Sequence, residues 1–226
     1  MKMMVMTGFR RPQYIKEVID SLRKNDVSGY AKIQFGLEPG YPEVARICNE
    51  VDFMPREVYV NDKILGVRDN PYRTLERAFV SGAECVVYLE DDVVLSPDTL
   101  DLANWYFDLP TRDNHLCLNF YNPTSQPDMN GVFPGKGFSA LGIAMSKVQW
   151  EKFFKPTWYR DWRGWDHSII SLVNNSQLTN LMPYMSRSHH IGIEGGIHYR
   201  AALHDDMYIN NPWKQTNEKV QFELRT

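Results

Sequence analysis

Glu90, Asp91 and Asp92 stand side by side directly after the apolar run Val86-Val87-Tyr88-Leu89. A run that continuous predicts a strand buried on both faces. Three carboxylates crowded at its end repel one another unless a cation or a hydrogen-bond network compensates them. A divalent metal with oxygen ligands, itself holding a diphosphate, is one compensation. A solvated acidic turn is the plainer one. Ser96-Pro97-Asp98 follows as a helix start with Ser96 as N-cap, which confines the cluster to a short connection.

A second chemistry-bearing position is Asp166, ahead of Ile169, Ile170 and Val173. It reads either as a general base for a hydroxyl nucleophile or as the N-cap of that helix. His167 is a fallback base, because imidazole titrates near neutrality, and equally an ordinary surface histidine. His189, His190, His198 and His204 invite a metal reading, or are ordinary hydrogen-bonded loop histidines.

The elements that must position these groups alternate. Met3 to Met6 forms a strand, and Pro12 opens a helix through Ile15, Val18, Ile19 and Leu22. Lys32 to Leu37 is a strand ended by Pro39-Gly40, and Val44, Ile47, Cys48 and Val51 mark the next helix. Glu57 to Val60, a helix through Tyr72, Leu75, Ala78 and Phe79, and the strand Cys85 to Leu89 complete the first half. Such alternation predicts an α/β layer on a mostly parallel sheet. Ligands of such sheets sit beyond the carboxyl ends of the strands. Those ends carry Arg10-Arg11, Glu38 and Glu90-Asp91-Asp92. The second half reads as a long loop over Asn119 to Gly137, a strand over Ala140 to Ala144, and helices over Val148 to Phe154 and Asp166 to Val173. Gly192, Gly195 and Gly196 suit a hinged segment, or ordinary turns.

The 226 residues, 43% hydrophobic and 23% charged, fit one soluble globular domain. A net charge of −3 supplies no basic stripe for a nucleic-acid backbone. Three scattered cysteines make neither a zinc motif nor a disulfide framework, and no apolar stretch is long enough to span a bilayer. A cytoplasmic protein without a membrane partner is the expectation.

Four segments, in order, resemble the GT-A glycosyltransferases, and among them the N-acetylglucosaminyltransferase I and protein O-mannose N-acetylglucosaminyltransferase group. They are Val5-Met6-Thr7-Gly8-Phe9-Arg10-Arg11-Pro12, Tyr88 to Asp92 with Ser96-Pro97-Asp98, Gly135-Lys136-Gly137-Phe138 with Trp165-Asp166, and Pro183 to Gly192 around Ser186-Arg187. The resemblance implies a Rossmann-like nucleotide-binding domain over residues 1–226. Residues 1–100 form its nucleotide-sugar half, and residues 101–226 an acceptor half with a closing loop.

It also implies inverting transfer of N-acetylglucosamine or another hexose from a UDP-sugar to an acceptor hydroxyl, with Mn2+ or Mg2+ as cofactor. Asp92 and His198 would hold the metal, and Asp166 would be the catalytic base. Arg10, Glu38, Glu90, Asp91 and Trp165 would meet the donor. The family usually places Asp where this chain has Glu38, and His167-Ser168 departs from its continuation after Trp-Asp. The expectation is a bacterial or viral-type enzyme without an anchor or stem ahead of the domain. Trp158, Trp162 and Trp165 offer either an aromatic platform for a sugar face or core packing. Two alternatives stay open, a transferase acting on a modified base in DNA and a non-catalytic carbohydrate-binding module. A nucleotidyltransferase needs a glycine-rich phosphate loop, and Gly8-Phe9-Arg10-Arg11 has a single glycine.

Overall fold

The protein is described from a computed structural model over residues 1–192 and 210–225. Its centre is β1 (Lys2–Gly8), which lies between β2 (Ile33–Leu37) and β4 (Cys85–Glu90) and runs parallel to both. The alternation of a strand sends successive side chains to opposite faces. Met4 and Met6 enter one core with Ile15, Val18 and Leu22 of α1 (Pro12–Leu22) and with Val44 and Cys48 of α2 (Pro42–Asn49). Met3 and Val5 enter the other with Leu75, Ala78 and Phe79 of α3 (Gly66–Val80). Helices therefore cover both faces, which is why the strand holds no polar side chain between Met3 and Met6. β3 (Arg56–Val60) extends the edge beside β2.

Past β4 the chain turns through β5 (Val93–Leu95) into α4 (Thr99–Asp108), then β6 (Leu118–Asn119), β7 (Gly131–Gly135) and β8 (Ile143–Ser146). A short α5 (Lys147–Gln149) runs through a wide turn over Trp150–Phe154 into α6 (Lys155–Thr157). Then come α7 (Trp165–Asn174), β9 (Asn180–Pro183), β10 (Ser188–His190) and β11 (Glu223–Leu224). Among the described residues nine strands form one sheet in the order β11-β7-β9-β6-β8-β4-β1-β2-β3, with β8 antiparallel to β4, and β5 and β10 form a separate antiparallel pair. The predicted architecture is the one that forms, an α/β domain with a mostly parallel, mixed sheet flanked by helices.

Strand order reverses at β1: the chain first steps outward to β2 and β3, then returns to place β4 on the other side. That reversal opens a crevice beyond the carboxyl ends of β1 and β4. Thr7 pairs with Glu90 in register there, and the Glu38 amide donates to the Gly8 carbonyl at 3.0 Å. The three charged strand ends thus share one rim.

Several expectations are corrected. Ser96 is not an N-cap: α4 begins at Thr99 after Asp98, and the Ser96 hydroxyl instead donates to the Lys214 carbonyl at 2.5 Å. Asp166 is not an N-cap either, since Gly164 holds that position and Asp166 lies in the first turn of α7. The stretch Asn119 to Gly137 contains β7, which pairs with β9 despite its Pro134. Among the described residues no helix is long and apolar enough to cross a membrane.

Candidate functional site

Glu90 closes β4, and Asp91 and Asp92 form the turn into β5. Each carboxylate meets the crowding in its own way. The Asp91 carboxylate accepts from the Phe9 backbone amide (Oδ2, 3.1 Å) and from Arg11 Nη2 (Oδ1, 2.5 Å). Arg11 also lies 2.7 Å from Asp92 Oδ2, so a single guanidinium bridges two neighbouring carboxylates. Arg11 is the N-cap residue of α1, with Pro12 as the first helical residue, which aims its side chain across the end of β1. Its cationic head also lies over the Tyr14 ring, 5.4 Å from the centroid.

Asp92 meets a second base from the far end of the chain. β10 pairs antiparallel with β5, opposing His190 to Val93, and the Ile191 amide donates to the Asp92 carbonyl at 2.9 Å. This register puts His190 Nε2 3.2 Å from Asp92 Oδ2. A Cβ added at Gly192 would run into Asp92 Oδ2 and lie 2.8 Å from His190 Nε2, so any side chain there would displace this pair.

The electrostatics follow. Burial pushes the Asp92 acid up, but hydrogen bonding and charge from His190, then Arg11, outweigh it and hold Asp92 below the usual carboxylate range. Asp91 is raised, by burial first and the Asp92 charge second, against the pull of Arg11. Glu90 is pushed up to about 8 by burial and by the charges of Asp92, Asp91 and Asp166. Near neutrality Glu90 therefore holds a proton. It is tied into a short chain, with the Tyr88 hydroxyl donating to Glu90 Oε1 at 3.3 Å and meeting Thr7 Oγ1 at 3.0 Å.

Asp166, in the first turn of α7, is near enough for its charge to help raise Glu90. Its neighbour Trp165 is 3% exposed, stacked on Trp158 at 4.4 Å between centroids and edge-on to Tyr88 at 5.8 Å. Trp158 and Trp165 are thus core residues, whereas Trp162, on the connection just before α7, is 85% exposed. That connection is pinned: Arg68 Nη2 donates to the Asp161 carbonyl at 3.0 Å and the Trp162 carbonyl at 2.5 Å, and the Asp161 amide donates to Ser168 Oγ at 2.9 Å.

Glu38 is buried and its carboxylate is occupied. It accepts from the backbone amides of Leu65 (3.0 Å) and Gly66 (2.7 Å) and from Asn61 Nδ2 (3.3 Å), tying the end of β2 to the start of α3. Arg10 is exposed, its guanidinium 5.7 Å from the Phe9 ring centroid. His198, His204, Gly195 and Gly196 lie outside the described residues.

The sequence places Arg11 beside Arg10 at the strand end and His190 among four candidate histidines, but it favoured Arg10 and His198 over them. For Arg11 the signal was available, because the residue before a helix-opening proline is the one turned back toward the strand end. His190 becomes legible only from the β5–β10 register. Behind it stands a buried ionic cluster: Asp98 faces Arg187 Nε at 3.1 Å and Lys214 Nζ at 3.2 Å, with Arg187 and Lys214 0% and 1% exposed. Arg187 also donates to the Met185 and Met129 carbonyls, and Lys214 to those of Thr216 and Glu218. The cluster fixes β10, and with it His190.

Asp92 Oδ1 is buried without a hydrogen-bond partner among the described residues. An open carboxylate oxygen beside an imidazole is a donor set that suits Mn2+ or Mg2+. The described residues contain no group of three or more His, Cys, Asp or Glu able to hold a metal, so other donors must complete such a shell.

Solved structures match this arrangement of elements. A mannosyltransferase from Pyrobaculum calidifontis, in complex with GDP-Man and Mn2+, aligns over 80% of this chain and 54% of its own, with TM-score 0.59 and 14% identity. Residues 1–349 of TarS from S. aureus, in complex with UDP-GlcNAc, align over 88% and 62%, also with TM-score 0.59 and 14% identity. The chain has a GT-A fold. In this GT-A domain the strand reversal and the acidic turn lie at the crevice where the fold class binds its ligands. The likeness extends to the fold, and it does not single out the N-acetylglucosaminyltransferase I group. The GT-A chain spans between half and two thirds of those solved chains. No family model matches its sequence, and neither does any curated protein.

Proposed function

We propose that the protein is an inverting, divalent-metal-dependent glycosyltransferase that moves a hexose or N-acetylhexosamine from a UDP-sugar to an acceptor hydroxyl. One observation carries this reading: Arg11, Asp91, Asp92 and His190, drawn from the start of α1, the β4–β5 turn and β10, converge at the strand reversal, with Glu90 at the end of β4 beside them and within reach of the charge of Asp166. Asp92 and His190 would hold the cation, with His198 proposed as a further ligand. Bound there, the cation supplies Lewis-acid neutralisation of the departing diphosphate.

The chain's own residues do the rest. Arg11, and Arg10 beside it, meet phosphate. Asp91 and protonated Glu90 supply one acceptor and one donor for the hydroxyls of the bound nucleotide sugar. Glu38 fixes the wall on which the uracil lies by capping α3, and Trp165 sets the start of α7. Asp166 takes the proton of the attacking acceptor hydroxyl. Single displacement needs one carboxylate acting on the acceptor hydroxyl, the role given to Asp166, whereas double displacement needs a second one placed as nucleophile.

A hydrolysis screen over nucleotide sugars, with and without Mn2+, tests the reading. The expected result is Mn2+-dependent release of UDP from one or two UDP-sugars, with NMR showing the inverted anomer in the sugar first released, before it mutarotates. Sugar binding without nucleotide or metal, and no release from any donor, would instead establish a carbohydrate-binding module.

A further inference from the structure

Arg11 touches the two carboxylates in an unfinished way. Nη2 alone serves both Asp91 Oδ1 and Asp92 Oδ2, and that Asp92 oxygen also faces His190 Nε2. Arg11 Nη1 and Asp92 Oδ1, both buried, have no hydrogen-bond partner among the described residues. A guanidinium settled on carboxylates ordinarily pairs both prongs of its fork. Here one prong and one carboxylate oxygen are left over within the same cluster. The Arg11 side chain is 17% exposed and its guanidinium lies over the Tyr14 ring.

We propose that Arg11 is an internal stand-in for the divalent cation, guarding Asp92 until a nucleoside diphosphate draws it away. The inference rests on the reading of this rim as a metal and donor site. A cation seated on Asp92 with Arg11 still in place would face a like charge sharing its ligand, which disfavours metal binding alone. A diphosphate removes the obstacle, because it offers the planar fork a bidentate acceptor and adds negative charge for the cation. Metal and nucleotide then raise each other's affinity by the same factor, as linkage requires. Donor-free protein stays metal-poor, and the site assembles only when the diphosphate arrives.

Titration of free Mn2+ by electron paramagnetic resonance, with and without UDP, tests this on wild type and on Arg11→Gln. Wild type is expected to bind Mn2+ weakly alone and roughly ten- to hundredfold more tightly with UDP. Arg11→Gln is expected to bind Mn2+ alone about tenfold more tightly than wild type, and to lose most of the UDP enhancement. Arg11→Lys keeps the charge in a form that cannot span both carboxylates, and should show the same change in smaller measure. Near-UV circular dichroism identifies which variants are folded. Unchanged metal-only affinity in a folded variant overturns the stand-in role while leaving the transferase reading intact. Wild-type Mn2+ binding that ignores UDP overturns both.

Discussion

Asp92 and Glu90 are two residues apart and end in opposite protonation states, and the cause is who faces them. Asp92 meets a guanidinium and an imidazole, whereas Glu90 meets a tyrosine hydroxyl and three negative charges. A carboxyl whose folded value is raised keeps its proton after the unfolded chain has lost its own. Glu90 therefore favours folding fully below its ordinary value of 4.5 and loses that contribution as pH rises toward about 8. In metal-free buffer, wild-type Tm should fall by several degrees between pH 5 and pH 8 on this account, and Glu90→Gln should flatten the profile. Calorimetry across that range decides it, and identical slopes would refute the assignment. Asp166→Asn tests the base: kcat should drop by roughly two to four orders of magnitude. UDP binding should persist, because the base serves the acceptor.

At the scale of elements, β10 matters most, because it carries His190 to Asp92 from nearly a hundred residues away. The Arg187–Asp98–Lys214 cluster holds it from behind, and three buried charged groups tolerate poorly the loss of their single anion. Asp98→Ala should cost about 3–5 kcal/mol of stability in urea unfolding. A loss under about 1 kcal/mol would be the value of an exposed pair and would contradict this description. The connection before α7 invites a second test. Trp162 is held out at 85% exposure beside Arg163 on a backbone fixed by Arg68 and Ser168. As an acceptor-side platform it predicts that Trp162→Ala raises acceptor KM roughly tenfold, with a much smaller change in donor KM. Equal shifts in both would remove it from the acceptor side.

Across the whole molecule, legibility follows the range of the interactions. The first half consists of local strand-helix units, and the periodicity of Ile15, Val18, Ile19 and Leu22 or the unbroken run before Glu90 shows them directly. The second half is made of strands of two to five residues that pair across long separations, too short for a period to show. Pro134 and Gly135 made β7 look like a loop, and the position of α4 depends on Ser96 being taken up by Lys214. The acidic cluster itself was visible in the sequence, because it follows directly on the unbroken apolar run Val86 to Leu89. Its partners were less so: Arg11 differs from Arg10 by a single step at a helix start, and His190 from its neighbour by the register of β10 on β5.

One claim joins these scales, that Asp92 holds the cation which neutralises the departing diphosphate. Turnover of the preferred UDP-sugar at saturating Mn2+, compared between wild type and Asp92→Ala, tests it most directly. Folded Asp92→Ala is expected to lose donor turnover by at least roughly two orders of magnitude. Turnover within about twofold of wild type would contradict it, since so small a change is well under 1 kcal/mol of barrier.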